Sequence, residues 1–207
     1  QARHEVTNQV DTLCNDLVTA YQELASQMQQ AVQTSEFSGM VRDELDLESL
    51  LRKTLEFLVS KAGATNAVIF LPSSMDEYTV GGHVNYDCTR DSADVLLQHL
   101  ADVLAPRMIG HTTPVHITDD RAMRELLNDD YPYLSECHLL AFACIHKDET
   151  LGVGTVFRNQ DSPFDSEMVE LCTALGPMLG EYLARIIRIH HRHLPDLPFE
   201  EGDETCF

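Results

Sequence analysis

The N-terminal segment constrains the fold of this chain most, because it predicts one long helix. Residues 5–35 contain neither proline nor glycine and are rich in Gln, Glu, Leu and Ala. Apolar or small residues recur there at alternating steps of four and three, which is the spacing of a coiled-coil seam. The seam positions are Val6, Val10, Leu13, Leu17, Ala20, Leu24, Gln27 and Ala31. The β-branched Val6 and Val10 favour two strands. We therefore expect a parallel homodimer through residues 6–31.

A second interpretation of the same segment is an amphipathic helix that packs on its own domain. In that case an apolar stripe of Leu17, Tyr21, Leu24 and Met28 would be buried. The segment Ser35–Gly39 is expected to end the helix, because it interrupts the pattern. We accordingly divide the chain into a coiled-coil helix (1–38), a globular domain (39–193) and a flexible acidic tail (194–207).

Charge and composition exclude several classes of partner. The net charge is −20, with 34 acidic and 14 basic residues, so the surface repels nucleic acid and anionic lipid. The longest apolar runs, such as Leu139–Ile145, are too short for membrane insertion. The six cysteines form no CxxC pair, which is typical of reduced thiols and predicts a cytoplasmic location. Because the chain begins with Gln1, we expect it to be a piece of a longer protein.

The rest of the chain predicts an α+β domain with an antiparallel sheet. Asp46 caps a helix that Gly63 ends, and a hairpin follows, in which Gly81-Gly82 indicates a bulge or a close backbone approach. A very apolar strand, His138–His146, is expected to be covered on both faces. The predicted helices are 47–62, 91–105, 121–127 and 163–193, and the predicted strands are 66–71, 77–87, 114–118, 138–146 and 151–157. Because the last helix has further apolar positions, we expect it to join the dimer.

Two stretches within the predicted order of helices and strands resemble GAF domains. One is the pair of strands over Leu139–Phe157, in which the second strand reads Leu-Gly-Val-Gly-Thr-Val-Phe; the other is Ser162–Glu167 with the striped helix after it. The resemblance covers Leu47–His193 and implies a profilin-like antiparallel sheet flanked by helices. It also implies a sensor role, with a small molecule held between the sheet and a lid at residues 89–136. The long terminal helices would dimerise the protein and control an attached output domain.

The resemblance does not extend to two GAF subfamilies with known ligands. The Asn-Lys-x-Asp-like stretch of cyclic-nucleotide-binding members is absent from the sequence. Bilin-binding members attach the pigment through a Cys before a His, for which Cys88 and Cys137-His138 are the only candidates, and the surrounding residues do not match. No particular cofactor is indicated.

The candidate ligand-binding residues follow from strand parity. His138, Phe142, Cys144 and His146 lie on one strand at even spacing, so they share a face with Leu140. If that face lines the cavity, Phe142 and Cys144 form its floor, and the lid adds His111, His116 and Tyr131. The alternative is that all of these are core or rim residues. We identify no catalytic set and no metal-ligating set in the sequence.

Three functions stay open at this point. The first is a non-catalytic sensor that dimerises and binds a small molecule, and the second is a dimerisation scaffold without a ligand. The third is an enzyme that resembles free methionine sulfoxide reductases, which use lid cysteines in this fold. For that function Cys88 and Cys137 are the candidate thiols, with Arg90 placed to lower the pKa of Cys88.

Overall fold

The computed structural model describes residues 2–73, 77–86, 90–127, 134 and 137–191 of the chain. Within these ranges, six helical segments and five strands are seen. The helical segments are α1 (Ala2–Val41), α2 (Leu47–Ala62), α3 (Arg90–Val103), a 3-10 turn (Ala105–Met108), α4 (Asp120–Leu127) and α5 (Ser166–His191). The strands are β1 (Asn66–Pro72), β2 (Tyr78–Val84), β3 (Val115–Ile117), β4 (Cys137–His146) and β5 (Glu149–Asn159).

The five strands form one antiparallel sheet in the order β2-β1-β5-β4-β3. The predicted bulge in β2 is confirmed, because Ile69 pairs with Gly82 and Phe70 with Val80, which leaves Gly81 as the extra residue. The predicted α+β class with an antiparallel sheet is likewise confirmed.

Local signals explain where the helices begin and end. Asp46 accepts a hydrogen bond from the Ser49 amide at 2.8 Å and so caps α2, as the sequence predicts. Gly63 has a φ of 76° and ends the same helix. At the start of α5, the Asp165 carboxylate accepts from the Met168 amide at 2.8 Å. A predicted cap therefore marks the start of α2, and an acidic residue fills the same role for α5.

The sheet is covered on both faces, and each face has its own apolar cluster. α1, α2 and α5 pack on one face, where Ile69, Leu140 and Val156 meet Leu175 and Leu179 of α5. α3, the 3-10 turn and α4 cover the other face. The buried residues there are Val68, Phe70, Leu139, Ala141, Val153 and Phe157 of the sheet together with Leu100, Leu104, Met108, Met123 and Leu127. β4 is therefore buried on both sides, as predicted.

Two glycines let α5 lie directly on the backbone of β4. A Cβ built at Gly176 would stand 2.6 Å from the Ala143 carbonyl oxygen, and one at Gly180 would stand 2.4 Å from the Ile145 carbonyl oxygen. Both glycines are one helical turn apart on the same face of α5. The close approach buries Leu179, Leu183 and Ile186 in the core of this chain. The expectation that Leu179, Leu183 and Ile186 form excess apolar surface for a dimer is therefore wrong, whereas Ile187 of the same predicted set is 39% exposed.

The long helix runs without a break into the domain. The predicted end at Ser35–Gly39 is wrong, because α1 continues to Val41. Phe37 and Val41 are fully buried, and the Phe37 ring lies 5.2 Å from that of Phe57 on α2. Their burial stabilises the last turns of α1 and offsets the low helix propensity of Gly39. In the described part of the chain no helix has the length and apolar character needed to cross a membrane.

Candidate functional site

The most exposed apolar surface in the described residues lies on α1. Leu17 is 60% exposed, Leu24 52% and Met28 62%. Leu13, Val18, Tyr21 and Val32 are exposed as well, and every described side chain from residue 11 to residue 25 points to solvent. The interpretation in which Leu17, Tyr21, Leu24 and Met28 pack on their own domain is therefore wrong. Large contiguous apolar surface of this kind marks an interaction site.

The opposite face of α1 is polar over residues 26–33, and it forms hydrogen bonds with the start of α5. The Ser26 hydroxyl donates to Glu170 at 2.8 Å, and the Gln33 amide donates to Glu167 at 2.7 Å. Gln29 donates to the same carboxylate of Glu167. Leu24 and Ser26 are two positions apart, which is about 200° around a helix. The apolar stripe thus faces directly away from the domain to which α1 is attached.

The exposed residues fall into two series with a period of seven. Leu17, Leu24 and Ala31 form one, which the sequence predicts as half of the seam. Cys14, Tyr21 and Met28 form the other, and the predicted Leu13, Ala20 and Gln27 are exposed as well. Both series are exposed along their length. The exposed surface is wide enough to admit either set beside Leu17, Leu24 and Ala31, and Met28 is apolar where Gln27 is not. The predicted seam stays a prediction.

Four of the predicted ligand-binding residues share a face of the sheet, but this face is opposite to the one that the predicted lid covers. His138, Phe142 and Cys144 lie on the side covered by α1, α2 and α5, and His116 joins them because it pairs with Leu140. Their predicted position under the lid is therefore wrong. The Phe142 ring lies over Gly154 and beneath Gly176 of α5, which fills the space above it. Ligand contact at these residues stays a prediction.

The remaining predicted ligand residues are separate from that group. His111 is exposed in the loop after the 3-10 turn, where its amide donates to the Met108 carbonyl at 3.1 Å. Tyr131 lies outside the described residues. His146 sits at the end of β4, partly exposed, opposite Glu149. The structure thus places four of the seven predicted residues on one face of the sheet and leaves His111 and His146 apart from them.

The space between the sheet and α3 and α4 is filled with side chains where the structure describes it. A cleft at its edge, lined by residues that include Ala93, Leu97 and Phe157, has a volume of about 10 Å³. A buried hydroxyl on this face of the sheet lacks a hydrogen-bond partner among the described residues: that of Thr155, which is fully buried. A ligand held here would have to displace apolar side chains, and it would meet the Thr155 hydroxyl.

A polar cluster interrupts the other face of the sheet at its β3 edge. Arg158 of β5 pairs with His138 of β4, and His116 of β3 is the diagonal neighbour of His138. The Phe164 ring covers them. The Arg158 guanidinium carbon lies 4.2 Å from the centroid of that ring, and the centroids of the His116 and Phe164 rings are 6.4 Å apart in a T-shaped arrangement. We call Arg158, His138 and His116 the His–Arg cluster. The two histidines are predicted from the sequence as ligand-binding residues, whereas Arg158 and Phe164 are not.

Burial makes two of the cysteine thiols unreactive. Burial raises the pKa of Cys144 to about 12 and raises that of Cys172 even further above its ordinary range. A thiolate is the nucleophilic form, so both remain neutral thiols at physiological pH. Cys137 is partly exposed at the start of β4, and Cys88 lies outside the described residues. Neither Cys144 nor Cys172 can therefore serve as a nucleophile in this conformation.

Solved structures of several proteins share this architecture. The GAF domain of an Acinetobacter phosphoenolpyruvate-protein phosphotransferase has a TM-score of 0.60 at 12% identity, over 79% of this chain and 98% of that one. The GAF domain of an A. aeolicus protein in an inactive state has a TM-score of 0.54 at 17% identity, over 77% and 98%. A free methionine-R-sulfoxide reductase from Neisseria meningitidis, in complex with its substrate, has a TM-score of 0.59 at 15% identity, over 78% and 93%. No protein-family model matches the sequence, and no curated protein does.

Proposed function

We propose that this chain, which has the fold of GAF domains, is a non-catalytic regulatory domain that dimerises through α1 and controls an attached output domain. The observation that carries the proposal is the pair of opposed faces on α1. One face is bonded to the chain's own α5 through Ser26 and Gln33, while the other exposes Leu17, Leu24 and Met28 to solvent.

A second copy of this chain is the partner that fits the stripe. The series Leu17, Leu24, Ala31 and the series Cys14, Tyr21, Met28 alternate as the two core positions of a heptad do. A parallel pair would bring each residue next to its own copy. The two α1 helices would form the centre of the dimer, with each α5 on the outer side. A change in the sheet or in α5 would then reach the paired helices through Glu167 and Glu170.

Cross-linking at Cys14 tests both the dimer and its parallel direction. In a parallel pair the two Cys14 thiols lie side by side, so a short bis-maleimide is expected to produce a covalent dimer at micromolar concentration. In an antiparallel pair centred on Tyr21 the same thiols would be about 20 Å apart, because a helix rises roughly 1.5 Å per residue. Cys14→Ser is the control, since Cys137 and the other cysteines remain in it. A cross-link that persists in this variant, or a monomer in sedimentation, contradicts the proposal.

Close packing under α3 and α4 favours the scaffold without a ligand over the small-molecule sensor. Val68 and Phe70 on the sheet and Leu100 and Leu104 above it are fully buried against one another. Binding there requires those contacts to open, which costs apolar burial that a ligand would have to restore. We therefore propose that this interface is a second core rather than a standing pocket.

Thr155→Val separates the packed core from a ligand pocket. Valine has nearly the shape of threonine but no hydroxyl, and the Thr155 hydroxyl is buried without a hydrogen-bond partner among the described residues. Removing it from a packed core is expected to raise the free energy of unfolding by about 1 kcal/mol. Thermal unfolding of the protein as purified measures the change. A lower melting temperature in the variant would mean that the hydroxyl is bonded, and would support a polar ligand at this place.

The reductase is the enzyme that remains to be tested against this proposal. The Neisseria meningitidis structure shares the fold, but the buried Cys144 and Cys172 are held as neutral thiols. We expect no reduction of free methionine sulfoxide by the purified chain with dithiothreitol as reductant. Turnover that disappears in Cys88→Ser or in Cys137→Ser would overturn the assignment as non-catalytic.

A further inference from the structure

The His–Arg cluster holds the loop that joins β5 to α5. Arg158 donates to three backbone carbonyls, those of Ala62, Ser162 and Pro163, at 2.6 Å for Ala62 and 2.8 Å for Pro163. His138 adds a fourth bond, from Nε2 to the Gln160 carbonyl at 3.0 Å. The position of residues 160–165, and with it the first turn of α5, therefore depends on this cluster.

An additional positive charge in the His–Arg cluster would lack a hydrogen-bond acceptor among the described residues. A carbonyl only accepts hydrogen bonds, so His138 Nε2 carries the proton and Nδ1 is the unprotonated nitrogen. His138 Nδ1 is buried without a hydrogen-bond partner among the residues that the structure describes, and so is His116 Nε2. Protonation of His116 would leave a charged N–H at Nε2 buried without an acceptor among the described residues.

The described groups around His116 do not compensate such a charge. His138 on β4 and Arg158 on β5 are the neighbours on the sheet. Asp165, at the start of α5, interacts with Arg158 and already accepts the Met168 amide. α5 adds the neutral thiol of Cys172 to this face of the sheet.

We propose that the His–Arg cluster is a pH-responsive clamp, which holds the β5–α5 loop while His116 is neutral and releases it when His116 is protonated. Release frees the first two turns of α5, where Glu167 and Glu170 accept the hydrogen bonds of Gln33 and Ser26. Acidification would thus loosen α1 from its own domain. This inference goes beyond the proposed function, because it concerns contacts within one chain and holds whether or not the protein dimerises.

The direction of the pH effect follows from His116. Its burial, with the nearby His138 as a smaller cause, lowers the pKa of His116 below the ordinary value of 6.5. The unfolded or released form therefore binds a proton more readily than the clamped form. The clamp is at full strength above about pH 6.5 and weakens as the pH falls below that value.

Hydrogen exchange of the full chain at about pH 7.5 and about pH 5.5 tests the clamp, with rates corrected for the intrinsic effect of pH. Amides in residues 160–168 are expected to lose protection by up to roughly tenfold at the lower pH, relative to those of β1. His116→Asn is expected to remove this difference. His111→Asn, at an exposed histidine, is the matched control and is expected to retain it.

A histidine titration by NMR keeps the test decisive if His116→Asn fails to fold. In the native protein the His116 ring is expected to titrate below 6.5, with the amides of residues 160–168 shifting over the same pH range. The proposal is overturned if His116 titrates at or above 6.5. It is equally overturned if the loop amides keep their protection at the lower pH, or if His116→Asn retains the full response.

Discussion

Gly180→Ala is expected to destabilise the domain by roughly 3 kcal/mol or more. The added Cβ would lie 2.4 Å from the oxygen, 2.6 Å from the carbon and 2.8 Å from the nitrogen of Ile145, all of them backbone atoms. A side chain could turn away from such a contact, but the backbone of β4 is fixed by pairing with β5. α5 would have to move off the sheet, which would separate Leu179 and Leu183 from their contacts with the core.

The matched control for that variant is Gly39→Ala on α1. Nothing lies within 4 Å of the Cβ that this substitution adds, and the residue is within a helix. Alanine is expected to raise the free energy of unfolding by about 0.5–1 kcal/mol there, because it has the higher helix propensity. Chemical denaturation followed by circular dichroism measures both. A loss of less than about 1 kcal/mol in Gly180→Ala would contradict the contact between α5 and β4.

The sequence predicts the elements and the fold of this chain well, since each signal is local. Asp46 and Gly63 bound α2 through bonds and dihedral angles that belong to those residues alone. The bulge at Gly81 follows from the paired glycines in a strand, and the alternation along β4 groups Phe142 with Cys144. Such features depend on a few neighbouring residues, so one sequence is enough to predict them.

The face of the sheet and the continuity of α1 could not be predicted in the same way. The alternation of side chains along β4 predicts that Phe142 and Cys144 share a face. It does not predict whether α5 or α3 covers that face. That choice depends on the close approach of Gly176 and Gly180 to β4, which joins residues far apart in the chain. Likewise, Gly39 disfavours helix locally, and the burial of Phe37 against Phe57 outweighs it. In both cases tertiary packing decides over local preference.

Leu24→Glu is expected to convert the proposed dimer to a monomer. In a parallel pair each chain would place a carboxylate in the apolar centre of the seam, next to the same carboxylate of the other chain. Burying and opposing these charges is expected to cost about 3 kcal/mol or more, which weakens association at least roughly a hundredfold. The domain itself is expected to keep its stability, because Leu24 is 52% exposed and makes no part of either apolar cluster.

Thr19→Glu is the matched control for the dimer, since it adds the same charge to the same helix. Thr19 is exposed and lies five positions before Leu24, which is about 140° away around the helix and outside the stripe. Sedimentation equilibrium at micromolar concentration should give a dimer for this control and for the native chain, but a monomer for Leu24→Glu. If both glutamate variants behave alike, the stripe is not the seam. The exposed apolar face of α1 would then bind a partner other than a second copy of this chain.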